Sequence, residues 1–128
     1  MKGDYDKAIA DFTESTRLDP DNGLRYLSRG QYWQEKKEHG KAIADFDQAI
    51  WLGPDDTEAY FRRGYSWAAD GKHDRAIADY TDSIRLDPKN AAAFYNRGCS
   101  RREIEDHELA IPDFEEAARL DPSYAIPD

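Results

Sequence analysis

A 34-residue repetition runs through the chain. The stretch from His39 to Pro54 reads HGKAIADFDQAIWLGP, and that from His73 to Pro88 reads HDRAIADYTDSIRLDP. Ala8, Ala42, Ala76 and Ala110 keep the same step. So do Asp11, Asp45, Asp79 and Asp113, then Phe12, Phe46, Tyr80 and Phe114, then Pro20, Pro54, Pro88 and Pro122. Upstream, Arg29-Gly30, Arg63-Gly64 and Arg97-Gly98 recur in register. A chain with such a period is built of equivalent units, each contacting mainly its neighbours.

Each unit reads as two helices. Tyr26, Gly30, Trp33 and Lys37 step by three or four residues, which is helical spacing. Ile43, Phe46 and Ile50, with the small Ala42 and Ala49, mark one face of a second helix. Proline follows the helix end, where it costs nothing because the helix has stopped. Asp55-Asp56-Thr57 then supplies side-chain oxygens to cap the next start. Gly30 allows close approach of a partner helix, with Ala42 as the expected opposite number. The spacing predicts seven helices, at about 4–18, 23–36, 39–52, 57–70, 73–86, 91–104 and 107–120.

Composition removes several function classes. Of 128 residues, 39% are hydrophobic and 35% charged, and the mean hydropathy is −0.97. No apolar run approaches the roughly 18–20 residues of a spanning helix, so no membrane partner is expected. The start, MKGDYDKAIADF, has no signal-peptide pattern, which makes a cytoplasmic location the expectation. A net charge of −9 repels phosphate backbones, so nucleic acid is not an expected partner. Cys99 is the lone cysteine, which leaves no internal disulfide and a small packing residue.

The pattern resembles the tetratricopeptide repeat, with its aromatic, Leu-Gly, aromatic, Ala, Phe and Pro signature over 34 residues. The second unit gives Tyr26, Arg29-Gly30, Trp33, Ala42, Phe46 and Pro54. The third gives Tyr60, Arg63-Gly64, Trp67, Ala76, Tyr80 and Pro88. The fourth gives Phe94, Arg97-Gly98, Arg101, Ala110, Phe114 and Pro122. The resemblance implies an all-α solenoid of antiparallel helix pairs, a right-handed superhelix with the first helices on its concave face. Residues 1–22 are then a partial repeat with a second helix only. Full repeats occupy 23–56, 57–90 and 91–124, and 125–128 opens a truncated one. The chain thus resembles a segment of a longer array, or an array that self-associates.

Departures from the signature carry their own expectations. Arginine replaces leucine before each glycine. A half-buried guanidinium needs an anion, so Arg29, Arg63 and Arg97 are each expected to pair with a repeated aspartate of the same or the preceding second helix: Asp11 or Asp45, Asp45 or Asp79, Asp79 or Asp113. Pro112 lacks the N–H that would reach the Glu108 carbonyl, so a kink or restart of the last helix is expected. Ile9 and Phe12 at one end, and Phe114 and Ala118 at the other, are expected to be bare and to drive self-association. Trp51 stands where Arg17, Arg85 and Arg119 stand, so it either folds back on its helix or marks a contact surface.

The site expectations follow from the resemblance. His39, His73 and His107 are one repeat apart. Equivalent positions on stacked helices lie about 8–10 Å apart or more, and histidine binds a metal at about 2 Å. They are therefore read as openers of the second helices, with no metal and no cofactor. The repeated aspartates are periodic in the same way, and no catalytic arrangement stands out, so the chain is not read as an enzyme. In the family, ligand-facing slots lie on the first helices. Here the groove slots are Leu24, Leu27, Gln31, Glu58, Phe61, Arg62, Tyr65, Tyr95, Asn96 and Arg102. Aromatics beside arginine suit a binding hot spot for a protein or peptide partner. Chaperone-binding members clamp a C-terminal carboxylate with Lys, Asn, Asn, Lys and Arg. Here those slots hold Leu27, Gln31, Arg62, Ala92 and Asn96, which argues against the Hsp70 or Hsp90 tail.

Overall fold

The computed structural model describes residues 2–125. Among them are seven α-helices and no strand: α1 (Lys2–Leu18), α2 (Gly23–Glu35), α3 (His39–Leu52), α4 (Thr57–Ala69), α5 (His73–Leu86), α6 (Ala91–Glu103) and α7 (His107–Leu120). A 3-10 turn, Pro122–Tyr124, follows. The expected opening of a further repeat at 125–128 lies, beyond Ala125, outside the described residues. No described helix is long and apolar enough to cross a membrane.

Two local devices delimit the helices. Asn22, Asp56 and Asn90 cap the first helices, accepting hydrogen bonds from the amides of Leu24 (3.1 Å), Ala59 (3.1 Å) and Ala93 (3.2 Å). Each first helix ends in a tight reversal. The amides of Glu38, Lys72 and Asp106 donate back to the carbonyls of Trp33 (2.9 Å), Trp67 (2.8 Å) and Arg101 (2.8 Å). The residue before each donor is left-handed: Lys37 (φ 62°), Gly71 (φ 78°) and Glu105 (φ 64°). Only the middle turn has the residue that adopts this conformation without strain.

Each first helix packs on its own second helix, and each second helix packs on the next first helix. The repeated glycine makes room for an aromatic ring rather than for the partner's alanine. A Cβ on Gly30 would lie 2.6 Å from the Phe46 ring, and one on Gly64 or Gly98 2.9 Å from Tyr80 or Phe114. Phe46, Tyr80, Ala42, Ala76, Ala59 and Ala93 are buried around these contacts.

The arginine before each glycine forks onto the aspartate of its own unit. Arg29 meets Asp45 at 2.6 and 2.8 Å, Arg63 meets Asp79 at 2.7 and 2.8 Å, and Arg97 meets Asp113 at 2.7 and 3.0 Å. Bidentate charged bonds of this kind are the strong ones. The same guanidiniums reach back to the preceding second helix, at Thr13 (3.3 Å), Asp47 (2.8 Å) and Thr81 (3.2 Å). Burial lifts the Asp79 carboxyl above its ordinary value, against the pull of Arg63. The bond to Asp79 raises Arg63 in turn. Arg101 donates a second guanidinium to Asp113 (2.8 Å).

Two expectations are corrected, and one pair of alternatives is decided. The last helix runs unbroken through Pro112. Pro112 and Glu108 both lie on its exposed face, so the carbonyl that proline leaves unpaired faces water and the helix need not bend to satisfy it. Ile9 is buried, at 7% exposure, because α2 covers it. Phe114 is not bare either, since Tyr95 stacks at 5.5 Å and Arg102 lies 5.6 Å over the ring. The exposed apolar residues of α7 are Leu109 and Ile111. Trp51, at 80% exposure, does not fold back onto its helix.

Candidate functional site: the face of the first helices

α2, α4 and α6 share a face on which a cavity of about 610 Å³ opens. Gln34, Glu35, Lys37 and His39 form one wall, Phe61, Arg62, Tyr65 and Ala69 the floor, and Asn96 the far side. A smaller cavity of about 310 Å³ continues past Tyr65 toward Asn96, Cys99 and Glu103.

Arg62 is the positioned cation of this face. Its Nε donates to Glu58 (2.6 Å) one turn earlier, and its Nη1 to the Gln34 side-chain oxygen (3.4 Å). Gln34 is itself fixed, donating to the Arg62 carbonyl (2.6 Å) and to Ser66 Oγ (2.8 Å). A guanidinium held from two sides loses little further freedom on meeting a ligand. Tyr65 is exposed, with the His39 ring 6.4 Å away. Behind it Tyr80 is buried, and desolvation raises its phenol well above the usual range.

Histidine and serine do come together here, a pairing that sequence reasoning did not find. His39 Nδ1 shares a hydrogen bond with Ser66 Oγ, and His73 Nδ1 with Ser100 Oγ, each at 3.1 Å. Both serines are buried, and His73 and Ser100 also line the smaller cavity. The pairs join each second helix to the next first helix. The repeat spacing held the signal, since His39 and Ser66 differ by the same 27 positions as His73 and Ser100.

The expected groove residues divide. Phe61, Arg62, Tyr65 and Asn96 line the main cavity. Gln31 and Arg62 line a neighbouring one of about 450 Å³ toward α1, and Glu58 acts through Arg62. Leu27 belongs to the core, 6% exposed among Tyr26, Ala42 and Phe46. Leu24 is exposed but lines none of these cavities. Tyr95 turns to Phe114 and Tyr124, its ring 5.1 Å from the latter, and its phenol is raised by the neighbouring Cys99. Arg102 lies over Phe114 rather than at the cavity. Gln34 enters the site from the last turn of α2, and Lys37 and His39 because the turn between α2 and α3 folds onto it.

Comparison with known proteins agrees with this architecture. The tetratricopeptide repeat family model matches residues 2–57, 38–91 and 64–125. The crystal structure of MamA is 26% identical, with a TM-score of 0.91, over 94% of this chain and 71% of that one. The Arabidopsis OM64 TPR domain is 25% identical, with a TM-score of 0.77, over 79% of this chain and 84% of that one. The first TPR of Spaghetti (RPAP3), solved bound to the HSP90 peptide SRMEEVD, shares the fold at 20% identity. Its TM-score is 0.78, over 81% of this chain and 82% of that one. A search of curated proteins gives no match. With the family model spanning the chain and the helix pairs packed as it requires, the chain belongs to the tetratricopeptide repeat family.

Proposed function

We propose that the face formed by α2, α4 and α6 binds a segment of another protein and catalyses nothing. The observation that carries this is Arg62, held by Glu58 and Gln34 between Phe61 and Tyr65 on the floor of the main cavity. An aromatic pair with a fixed guanidinium offers both apolar area and a directional donor. A structure of the same fold holds a peptide, which supports the reading. The segment differs from a chaperone tail, because the slots that would clamp a terminal carboxylate hold Leu27, Gln31, Arg62, Ala92 and Asn96, and Leu27 is buried. The test selects peptides from a displayed random library against the whole chain. Selected peptides should lose at least tenfold in affinity against the folded Phe61→Ala, Arg62→Ala double variant, and SRMEEVD should not compete with them. Selected peptides that bind the double variant equally well would overturn the site.

A second reading is self-association through the outer edge of α7. Leu109 and Ile111 are exposed there, and Ile104 lies at the preceding turn. Mass by light scattering across a concentration series decides it: a mass that stays at one chain rules it out.

A further inference from the structure

We propose that the smaller cavity, between α4 and α6, is a subsite for a primary carboxamide, the glutamine side chain of a partner segment, a reading that rests on the binding face proposed above. Two equivalent junctions, 34 residues apart, differ in one slot. Where α2 meets α4, the buried Gln34 side chain bridges the helices. Its Nε2 donates to the Arg62 carbonyl (2.6 Å) and to Ser66 Oγ (2.8 Å), and its Oε1 accepts from Arg62 Nη1 (3.4 Å). Where α4 meets α6, the same slots hold Ala68, Asn96 and Ser100. With alanine in place of glutamine a cavity of about 310 Å³ opens, lined by all three. Ser66 bonds to both His39 and Gln34. Ser100 is as buried, and its one side-chain partner among the described residues is His73 (3.1 Å).

Gln34 thus shows what such a pocket accepts: two N–H donors and one carbonyl on a slender stem. By repeat position, the Ser100 hydroxyl and the Asn96 carbonyl are the equivalent acceptors. The donor is the Asn96 side-chain amide, standing where Arg62 stands one unit earlier. A neutral donor in place of a guanidinium selects a neutral carbonyl over a carboxylate, whose strong partner is the charged fork. Glu103, which also lines the cavity, repels a carboxylate further. A lysine ammonium has three donors and no acceptor, so it leaves the Asn96 donor unpaired. Tyr65, Ala69 and Asn96 line both cavities. A segment lying over Arg62 therefore reaches the second cavity with one side chain.

The test follows the whole, isotope-labelled chain by NMR with propanamide, a glutamine side chain without its backbone. Propanamide is expected to shift the Ser100 amide and His73 ring signals saturably. N,N-dimethylpropanamide keeps the carbonyl, loses both N–H groups, and should leave them unmoved at the same concentration. Ala68→Gln gives the chain an amide of its own and should weaken propanamide binding at least tenfold, with circular dichroism checking the fold. Should that variant unfold, Ala68→Leu closes the same space and is read in the same way. No saturable shift, or shifts that persist when position 68 is filled, overturns the proposal. Propylammonium acting in propanamide's place would make a cation beside Glu103 the occupant and overturn it equally. A second arm uses the library-selected peptides. Replacing one glutamine by glutamate or leucine should lose at least tenfold in affinity for the chain and nothing for Ala68→Gln. Peptides that heed the Phe61→Ala, Arg62→Ala change but carry no such glutamine overturn the subsite and leave the groove. Propanamide shifts with no peptide that heeds that change keep the carboxamide pocket and overturn the groove.

Discussion

The second and fourth units share one pattern and meet different surroundings. In the second, Ile43 is 7% exposed; its counterpart Ile111 is 56% exposed. His39 bonds to Ser66 of the next first helix, while His107 is exposed. Trp33 lies under the Lys41 ammonium at 4.6 Å, and Arg101, in the same slot, bonds to Asp113 instead. The α3 side chains are covered because α4 follows, and no helix packs on α7 in that way among the described residues. Burial in this architecture is therefore conferred by the neighbour as much as by the residue.

That comparison can be broken most forcefully at the aromatic slot. Phe46→Ala should cost about 3–5 kcal/mol, as full truncation in a closed core does. Phe114→Ala should cost clearly less in urea unfolding, because its ring is half-buried. Equal losses would mean that neighbouring units contribute little to the slot. Next is the carboxylate. Asp113→Ala strands both Arg97 and Arg101 and should cost about 3 kcal/mol or more, as orphaning buried partners does. Asp45→Ala strands Arg29 alone and should cost less. A reversed order would show that Arg101 finds water without penalty. A smaller contrast lies in the histidines: His39→Ala should lose about 1 kcal/mol with its hydrogen bond, and His107→Ala should change nothing measurable. Smallest is the turn residue. Lys37→Gly and Glu105→Gly relieve a left-handed strain of about 1–2 kcal/mol, offset by glycine's greater freedom when unfolded, for a net gain of about 0.5 kcal/mol. Thermal melting of the pair would read it.

The helix bounds were legible to within a residue or two because capping side chains and prolines recur with the period. The Arg29, Arg63 and Arg97 pairings were legible because a charged residue repeated beside a buried glycine demands a repeated counter-ion. Pairing within the unit, rather than with the preceding one, needed the helix azimuth. The site was less legible. Slots inherited from the family put Leu27 and Tyr95 beside Phe61, but Leu27 faces the α3 core and Tyr95 is drawn off by Tyr124 beyond the last helix. Lys37 and His39 reach the cavity through a turn whose path depends on one left-handed residue, which a helical pattern does not encode. Pro112 misled because the pattern shows the missing N–H but not that the orphaned carbonyl faces water.

The arginines that reach back across the units have a consequence for how the array opens. Between the first and second units the joint is Arg29 to Thr13, and between the third and fourth Arg97 to Thr81; both are neutral-acceptor bonds. Of these arginines only Arg63, at the middle joint, meets a carboxylate, Asp47, and Lys36 pairs with Asp6 across the first joint; both carboxylates are largely exposed. Added salt screens exposed charges over a few ångströms and leaves hydroxyl acceptors nearly untouched. Rising ionic strength should thus loosen the first two joints relative to the last, so that amide exchange quickens along the α1–α2 and α3–α4 boundaries before the α5–α6 boundary, and cooperative unfolding begins to divide there.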